Sequence, residues 1–319
     1  FPMSMNAKQA RVVDPILTNH ARGYVNADMI GRFLFPTVTM PTRAAKRIEF
    51  DRSSFKRRRT RRAPGSPILT LEYGYEGKAV ALHQEALSAV TPIEFQAEAD
   101  EVPSIDLQQL GVDTVLAVIA LEKEIQQAEA ARNPASYAAS NKVTLAGNDQ
   151  WTDPDSDPLA QVSDAKEVIR SRTGRRPNVM AITGSLTSAL AKHPKIRDHY
   201  KHTTSASVSL AMLAAYFDLE ELVSGDAIYD DATGATVDVW GTEAILAYVP
   251  PAGQRQMPLP SFGYTYQLAG HPLVEPVRWD GDIRSHKNDC LDEFSAELVG
   301  PDAGFLFQAA RGAMPDTVE

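Results

Sequence analysis

Cysteine is almost missing from this chain: Cys290 is the only one in 319 residues. That excludes an intrachain disulfide framework and a cysteine-built zinc site. Long apolar runs are missing as well. No stretch approaches the ~20 residues of a membrane span, and no secretory signal pattern opens the sequence, so no membrane partner is expected. The glycine patterns that cradle phosphates or dinucleotides do not occur, nor does a Gly-x-Ser-x-Gly nucleophile elbow. Internal repeats and low-complexity tracts are also lacking. No catalytic residue, metal or cofactor is therefore expected, and the chain does not read as an enzyme.

What is present is the composition of a folded globular protein, 43% apolar and 23% charged, long enough for two domains or three. The net charge of -9 conceals a division. Residues 1–62 hold 14 Lys and Arg against 4 Asp and Glu, a local balance of +10 that leaves -19 on the remainder. A basic head on an acidic body has two physical readings: it grips nucleic acid, or it lies on the acidic body of another copy.

The sequence divides into parts by its punctuation. Residues 1–44 read as an extended arm broken by Pro2, Pro15, Pro36 and Pro41, with a short helix over Asp28–Leu34. The chain opens Phe1-Pro2-Met3, so its start is expected upstream or removed. Residues 45–90 read as a long β-hairpin turning at Ala63-Pro64-Gly65-Ser66-Pro67. Its first limb carries Arg52 and then Lys56, Arg57, Arg58, Arg59, Arg61 and Arg62. Alternation in a strand puts these cations on both faces, so the ribbon has no core side and must project.

Residues 106–132 read as one long helix. Leu107, Leu110, Val118, Leu121, Ile125 and Ala128 recur at helical spacing, with Val115 and Ile119 widening the stripe. Asp106 with Gln109 makes a capping-box-like start, and Asn133-Pro134 a stop. Glu122, Glu124 and Glu129 fall on the expected outer face. Beyond a polar loop, helices over Leu159–Arg172, Leu186–Lys192 and Val208–Phe217 alternate with strands over Val179–Thr183, Ala227–Tyr229, Val237–Trp240, Ala244–Val249 and Tyr264–Leu268, predicting an α/β domain over about 150–280. A mixed-polarity strand over Asp282–Leu298 and a small-residue segment over Gly300–Phe307 complete the chain.

Several constellations imitate chemistry. Asp153, Asp155 and Asp157 copy the opening of a calcium loop, but Pro158 and Asp164 stand where glycine and glutamate are needed, so an acidic surface turn is expected. His193, His199 and His202 cluster with Asp198, but the pair His199 and His202, three residues apart, has no further ordered ligand in view, and all three read as surface histidines. Ser185, after Gly184 at a strand-to-helix junction, reads as a helix cap, and Cys290 as an inert thiol. The basic run over 52–62 has charge but no aromatic platform beyond Phe55, so as a nucleic-acid site it would give only sequence-blind, salt-sensitive binding.

The order of parts (arm, basic hairpin, acidic rod, α/β domain, return strand) resembles the tailed-phage major capsid proteins of the Hong Kong 97-like (HK97-like) fold. Val239-Trp240-Gly241, Ala247-Tyr248-Val249-Pro250-Pro251 and Pro260-Ser261-Phe262-Gly263-Tyr264-Thr265 are similar to that family's axial-domain segments. Arg284–Leu298 and Asp302-Ala303-Gly304-Phe305-Leu306 resemble its closing strand and tail. The resemblance implies an α+β fold with an N-arm over 1–44, an extended loop over 45–90, and a peripheral domain over 91–149 with spine helix 106–132. It further implies an axial α/β domain over 150–280, a peripheral return strand over 281–299 and a C-terminal segment over 300–319. Copies would assemble into hexamers and pentamers of an icosahedral head in the host cytoplasm and reside in the virion. Portal and scaffold proteins, and decoration proteins, would be further partners, and double-stranded DNA would be enclosed without sequence-specific binding. The expected inter-subunit contact sets Arg52, Lys56, Arg57, Arg58, Arg59, Arg61 and Arg62 of one copy against Glu122, Glu124 and Glu129 of the next. An encapsulin-like non-viral shell, or a nucleic-acid-binding protein using 52–62, are the alternatives.

Overall fold

The computed structural model describes residues 29–48, 61, 77–100, 106–201, 207–254 and 261–312. After a short helix at Gly31–Leu34 come the strands β1 (Thr37–Met40), β2 (Ala44–Ile48), β3 (Gly77–Ala81) and β4 (His83–Pro92). β2 and β3 pair antiparallel, with Ala44 opposite Ala81 and Ile48 opposite Gly77. The described parts of the expected hairpin thus pair, and Ile48 and Gly77 flank residues 49–76. Arg52, Lys56, Arg57, Arg58, Arg59 and Arg62 lie outside the described residues, as do residues 1–28. Arg61 is described and is exposed. Residues 83–92 do not continue the hairpin, because β4 joins a different sheet.

A helix at Ile93–Asp100 precedes the spine helix, which spans Leu107–Arg132. Asp106 caps it by accepting from the amides of Gln108 and Gln109 at 3.0 and 3.1 Å, which satisfies two otherwise unpaired first-turn donors. Its buried face differs from the expected stripe. Val112, Val115, Leu116 and Ile119 are buried, whereas Leu110 and Val118 are 56% and 50% exposed. Further along, the buried set moves around the helix to Glu124, Gln127, Ala128 and Ala131. The cause is a change of partner. The first half packs with Ala89, Val274, Cys290 and Phe294, and the second joins a cluster containing Ile30, Trp240 and Leu306.

The remaining strands are β5 (Lys142–Thr144), β6 (Val179–Thr183), β7 (Glu221–Gly225), β8 (Ile228–Asp230), β9 (Thr236–Asp238), β10 (Ala244–Ala247), β11 (Gly263–Leu268), β12 (Leu273–Val274), β13 (Arg278–Asp280), β14 (Ser285–Leu298) and β15 (Gly304–Gln308). One sheet is organised around β14, which pairs antiparallel with β4, β11, β12 and β13, while β1 runs parallel to β11. The spine helix lies across this peripheral sheet. The other sheet has the order β5-β15-β10-β6-β7.

Strand alternation builds the second core on both faces of that sheet. Met180, Ile182, Ala244, Leu246, Phe305 and Phe307 face Trp151, Val162, Ile169 and Leu186. Val179, Ala181, Ile245, Ala247 and Leu306 face Ile30, Phe35, Ala128 and Trp240. The covering helices are Pro158–Thr173, Gly184–Lys192, Pro194–Tyr200 and Leu210–Tyr216. The first ends at Gly174, whose φ of 67° suits the left-handed cap.

Two stretches sit elsewhere than expected. β11, β12 and β13, assigned in the sequence to the α/β domain of 150–280, belong to the peripheral sheet. β15, expected in a separate C-terminal segment, is an inner strand of the other sheet. Both reassignments are long-range pairings, which local periodicity does not encode.

Candidate inter-subunit surface

Of the expected acidic contacts, Glu122 and Glu129 are exposed on the spine helix, and Glu124 is not. Its residue exposure is 2%. Glu124 Oε1 accepts from Ile30 N at 2.8 Å, Gly31 N at 3.0 Å and Trp240 Nε1 at 2.7 Å, and Oε2 accepts from Gly31 N at 2.9 Å. Burial pushes this carboxyl above the ordinary carboxylate range, while the Trp240, Ile30 and Gly31 donors pull in the opposite direction. Gln127, one turn on, donates to Thr265 Oγ1 at 2.7 Å, and Thr265 Oγ1 donates to Phe35 O at 3.2 Å. Glu124 is therefore an internal clasp joining the arm, the spine helix and the axial loop at Trp240. It is removed from the inter-subunit set, because its acceptors are already occupied within the subunit.

The root of the hairpin is fastened to the peripheral sheet. Arg43 donates to Glu293 through Nε at 2.6 Å and Nη2 at 2.7 Å, a two-pronged pairing that fixes direction as well as distance. The Glu293 side chain is only 2% exposed. Gln84 Nε2 approaches the same carboxylate at 3.4 Å, and Leu82 N donates to Arg43 O at 2.9 Å. On the opposite side of β14, Lys123 of the spine helix donates to Asp292 at 2.7 Å and stands over the Phe294 ring. Gln267 of β11 holds the same Asp292 carboxylate. No sequence pattern marks Arg43, Glu293 or Asp292, since their partners lie far away along the chain.

The imitations of chemistry resolve as structure. Asp153 accepts from Asp155 N, and Asp157 caps the Pro158–Thr173 helix by accepting from Ala160 N. His193, expected at the surface, is 3% exposed and sits within hydrogen-bonding distance of Ser156 Oγ and Asp153 O. His199 packs edge-on against Tyr200 and Tyr216, and His202 is outside the described residues. Thr183, not Ser185, caps the helix that follows β6. Among the described residues no three His, Cys, Asp or Glu side chains are grouped to hold a metal, and no helix is long and apolar enough to cross a membrane. Cys290 is buried, and burial with the neighbouring Asp289 charge pushes its thiol up to about 11.

A family profile described as phage major capsid protein E matches residues 136–284. The chain is 35% identical over 306 residues to the major capsid protein of Burkholderia phage BcepMu, covering 95% of this chain and 98% of that protein. A phage-related protein from Bordetella bronchiseptica RB50 superimposes with a TM-score of 0.81 at 41% identity, covering 95% of this chain and 98% of that one. The capsid of cyanophage P-SCSP1u shares the fold alone, with a TM-score of 0.56 at 10% identity over 96% and 92% of the two chains. With an α+β architecture of HK97-like type and a relative of this likeness along nearly its whole length, the chain belongs to the bacteriophage major capsid proteins and is a structural subunit of a capsid shell.

Proposed function

We propose that this subunit closes a shell of hexamers and pentamers by placing its basic segment 52–62 on the acidic surface of a neighbouring copy. The observation that carries the reading is the root of the hairpin. β2 and β3 pair antiparallel, with Ile48 opposite Gly77, so the two residues that flank the cation-bearing stretch 49–76 stand side by side on the subunit. Six of the seven residues from Lys56 to Arg62 are basic, and such a density of like charge is stable where anions approach. Glu122 and Glu129, exposed on the spine helix, supply part of the anionic counterpart.

A contact between two different patches closes into rings when the rotation allows it, which suits both five and six copies. Single exposed ion pairs contribute only ~0–1 kcal/mol, so the charges set partner and register while buried apolar area holds the shell. The acidic remainder of the chain suits a container that encloses double-stranded DNA without gripping it. Portal, scaffold and decoration proteins are the further partners of this reading, with assembly in the host cytoplasm.

Reversing Arg57, Arg58 and Arg59 to Glu tests it. The expected outcome is a folded subunit with an unchanged circular-dichroism melt that forms no particles in negative-stain images. Normal shells from this variant would refute the role of the segment.

A further inference from the structure

The Glu293 carboxylate that holds Arg43 has a titratable neighbour on its other side. His271, in the turn between β11 and β12, brings Nε2 to 3.6 Å from Glu293 Oε1, and both side chains are 2% exposed. The turn is tied down at each end. Ala269 N donates to Met40 O at 2.8 Å and His271 N to Leu268 O at 3.1 Å, and β12 pairs at once with β14, Leu273 opposite Leu291. The imidazole is therefore fixed by the sheet.

Arg43 is held less firmly. Its side chain is 64% exposed, and it reaches the carboxylate from the turn between β1 and β2, with Nη2 donating to the same Oε1 at 2.7 Å. The groups that meet at this point are Glu293 from β14, His271 from the β11–β12 turn, Arg43 from the β1–β2 turn and the neutral Gln84 amide from β4. With the ring neutral, Arg43 meets the carboxylate as a full cation and His271 meets it as a dipole. With the ring protonated, two cations share one carboxylate and both press on Oε1. The buried imidazolium has little water to turn to, so its pairing with Glu293 is the one that must be kept. The guanidinium lies mostly in water already and leaves an exposed ion pair at little cost.

We infer that His271 is a proton-sensitive latch on the hairpin root: protonation moves Glu293 from Arg43 to the imidazolium and loosens the β2–β3 pairing. Arg43 transmits the change because its own carbonyl accepts from Leu82 N at 2.9 Å, and the next residue, Ala44, stands opposite Ala81. The latch belongs to the subunit itself and does not depend on where the basic segment docks.

Hydrogen exchange of the full chain, corrected for the intrinsic pH dependence of amide exchange, tests it. From about pH 7.5 down to about pH 5.5, a range that spans the ordinary imidazole value, protection over 44–48 and 77–81 should fall about tenfold relative to that of 179–183. The same comparison on His271→Gln should be flat, while His83→Gln, which alters an exposed histidine on β4, should keep the wild-type change. Slow deuteration at the imidazole C2 carbon, read by mass spectrometry on the peptide containing His271, reports the titration of the ring and should share the midpoint of the amide change. A histidine that only packs would raise exchange in His271→Gln at every pH and leave the pH dependence in place, which would overturn the inference. So would flat protection in the wild type, loss of the change in His83→Gln, or a ring midpoint displaced from that of the amides. If His271→Gln does not fold, agreement or disagreement of the two wild-type midpoints decides.

Discussion

Glu124 shows how far one residue can depart from the face its neighbours suggest. On the helix it sits between exposed glutamates, yet it turns inward because Ile30, Gly31 and Trp240 present three N–H donors that need an acceptor. Replacing it with Leu leaves those donors buried and unpaired and should destabilise the subunit by about 3 kcal/mol in denaturant melts. The raised carboxyl also fixes a sign. The folded state holds this proton more tightly than the unfolded chain, whose ordinary value is 4.5. The group's contribution to stability is therefore full below that value and is lost as pH rises through the higher folded value. The stability of the wild type relative to Glu124→Gln should fall with rising pH across that window. A flat difference between the two melts would contradict the shift.

Two further residues carry predictions at this scale. The Cys290 thiol, pushed up to about 11 by burial and then by Asp289, should not react with a thiol reagent in the native subunit at pH 8, and should react fully once the chain is unfolded. Asn288 is 0% exposed, and neither end of its amide has a partner among the described residues. Asn288→Val should stabilise the subunit by about 1 kcal/mol in the same melts, because an unsatisfied buried amide is removed.

Among the elements, those governed by local rules were legible and those governed by distant pairing were not. The spine helix follows from its period, its Asp106 cap and its Asn133-Pro134 stop. β6 falls at Val179–Thr183 as predicted, and the helix before it ends at Gly174. The face of the spine helix departs from its apolar stripe because its apolar residues serve two different partners, and Leu110 and Val118 serve neither. In the sequence β4 reads as part of the hairpin because nothing local separates it from β3 except Leu82. Its place is set by ten cross-strand pairings to β14, about 200 residues away. The Arg43–Glu293 pairing was invisible for the same reason, and it makes a prediction for the hairpin. Arg43→Ala removes both prongs from a buried carboxylate. Hydrogen exchange at 44–48 and 77–81 should accelerate relative to the wild type while the 179–183 amides stay unchanged.

For the whole molecule, the division of charge is the feature that composition reveals; among the described residues one subunit uses it at Arg43, which pairs with Glu293. The candidate contact was legible on its basic side, as an arginine run in the sequence, and only partly on its acidic side, where burial removes Glu124. The described core is complete without the 49–76 segment: both sheets are covered, and the spine helix joins them through the Glu124 clasp. The work proposed for that segment, which holds seven Lys and Arg within 52–62, is contact between copies. The most direct measurement of that claim is the mass of the purified full chain by light scattering, read alongside its behaviour on heparin. The account predicts closed shells of many copies that heparin does not retain. A small oligomer held on heparin would contradict it and turn the basic segment into a nucleic-acid site.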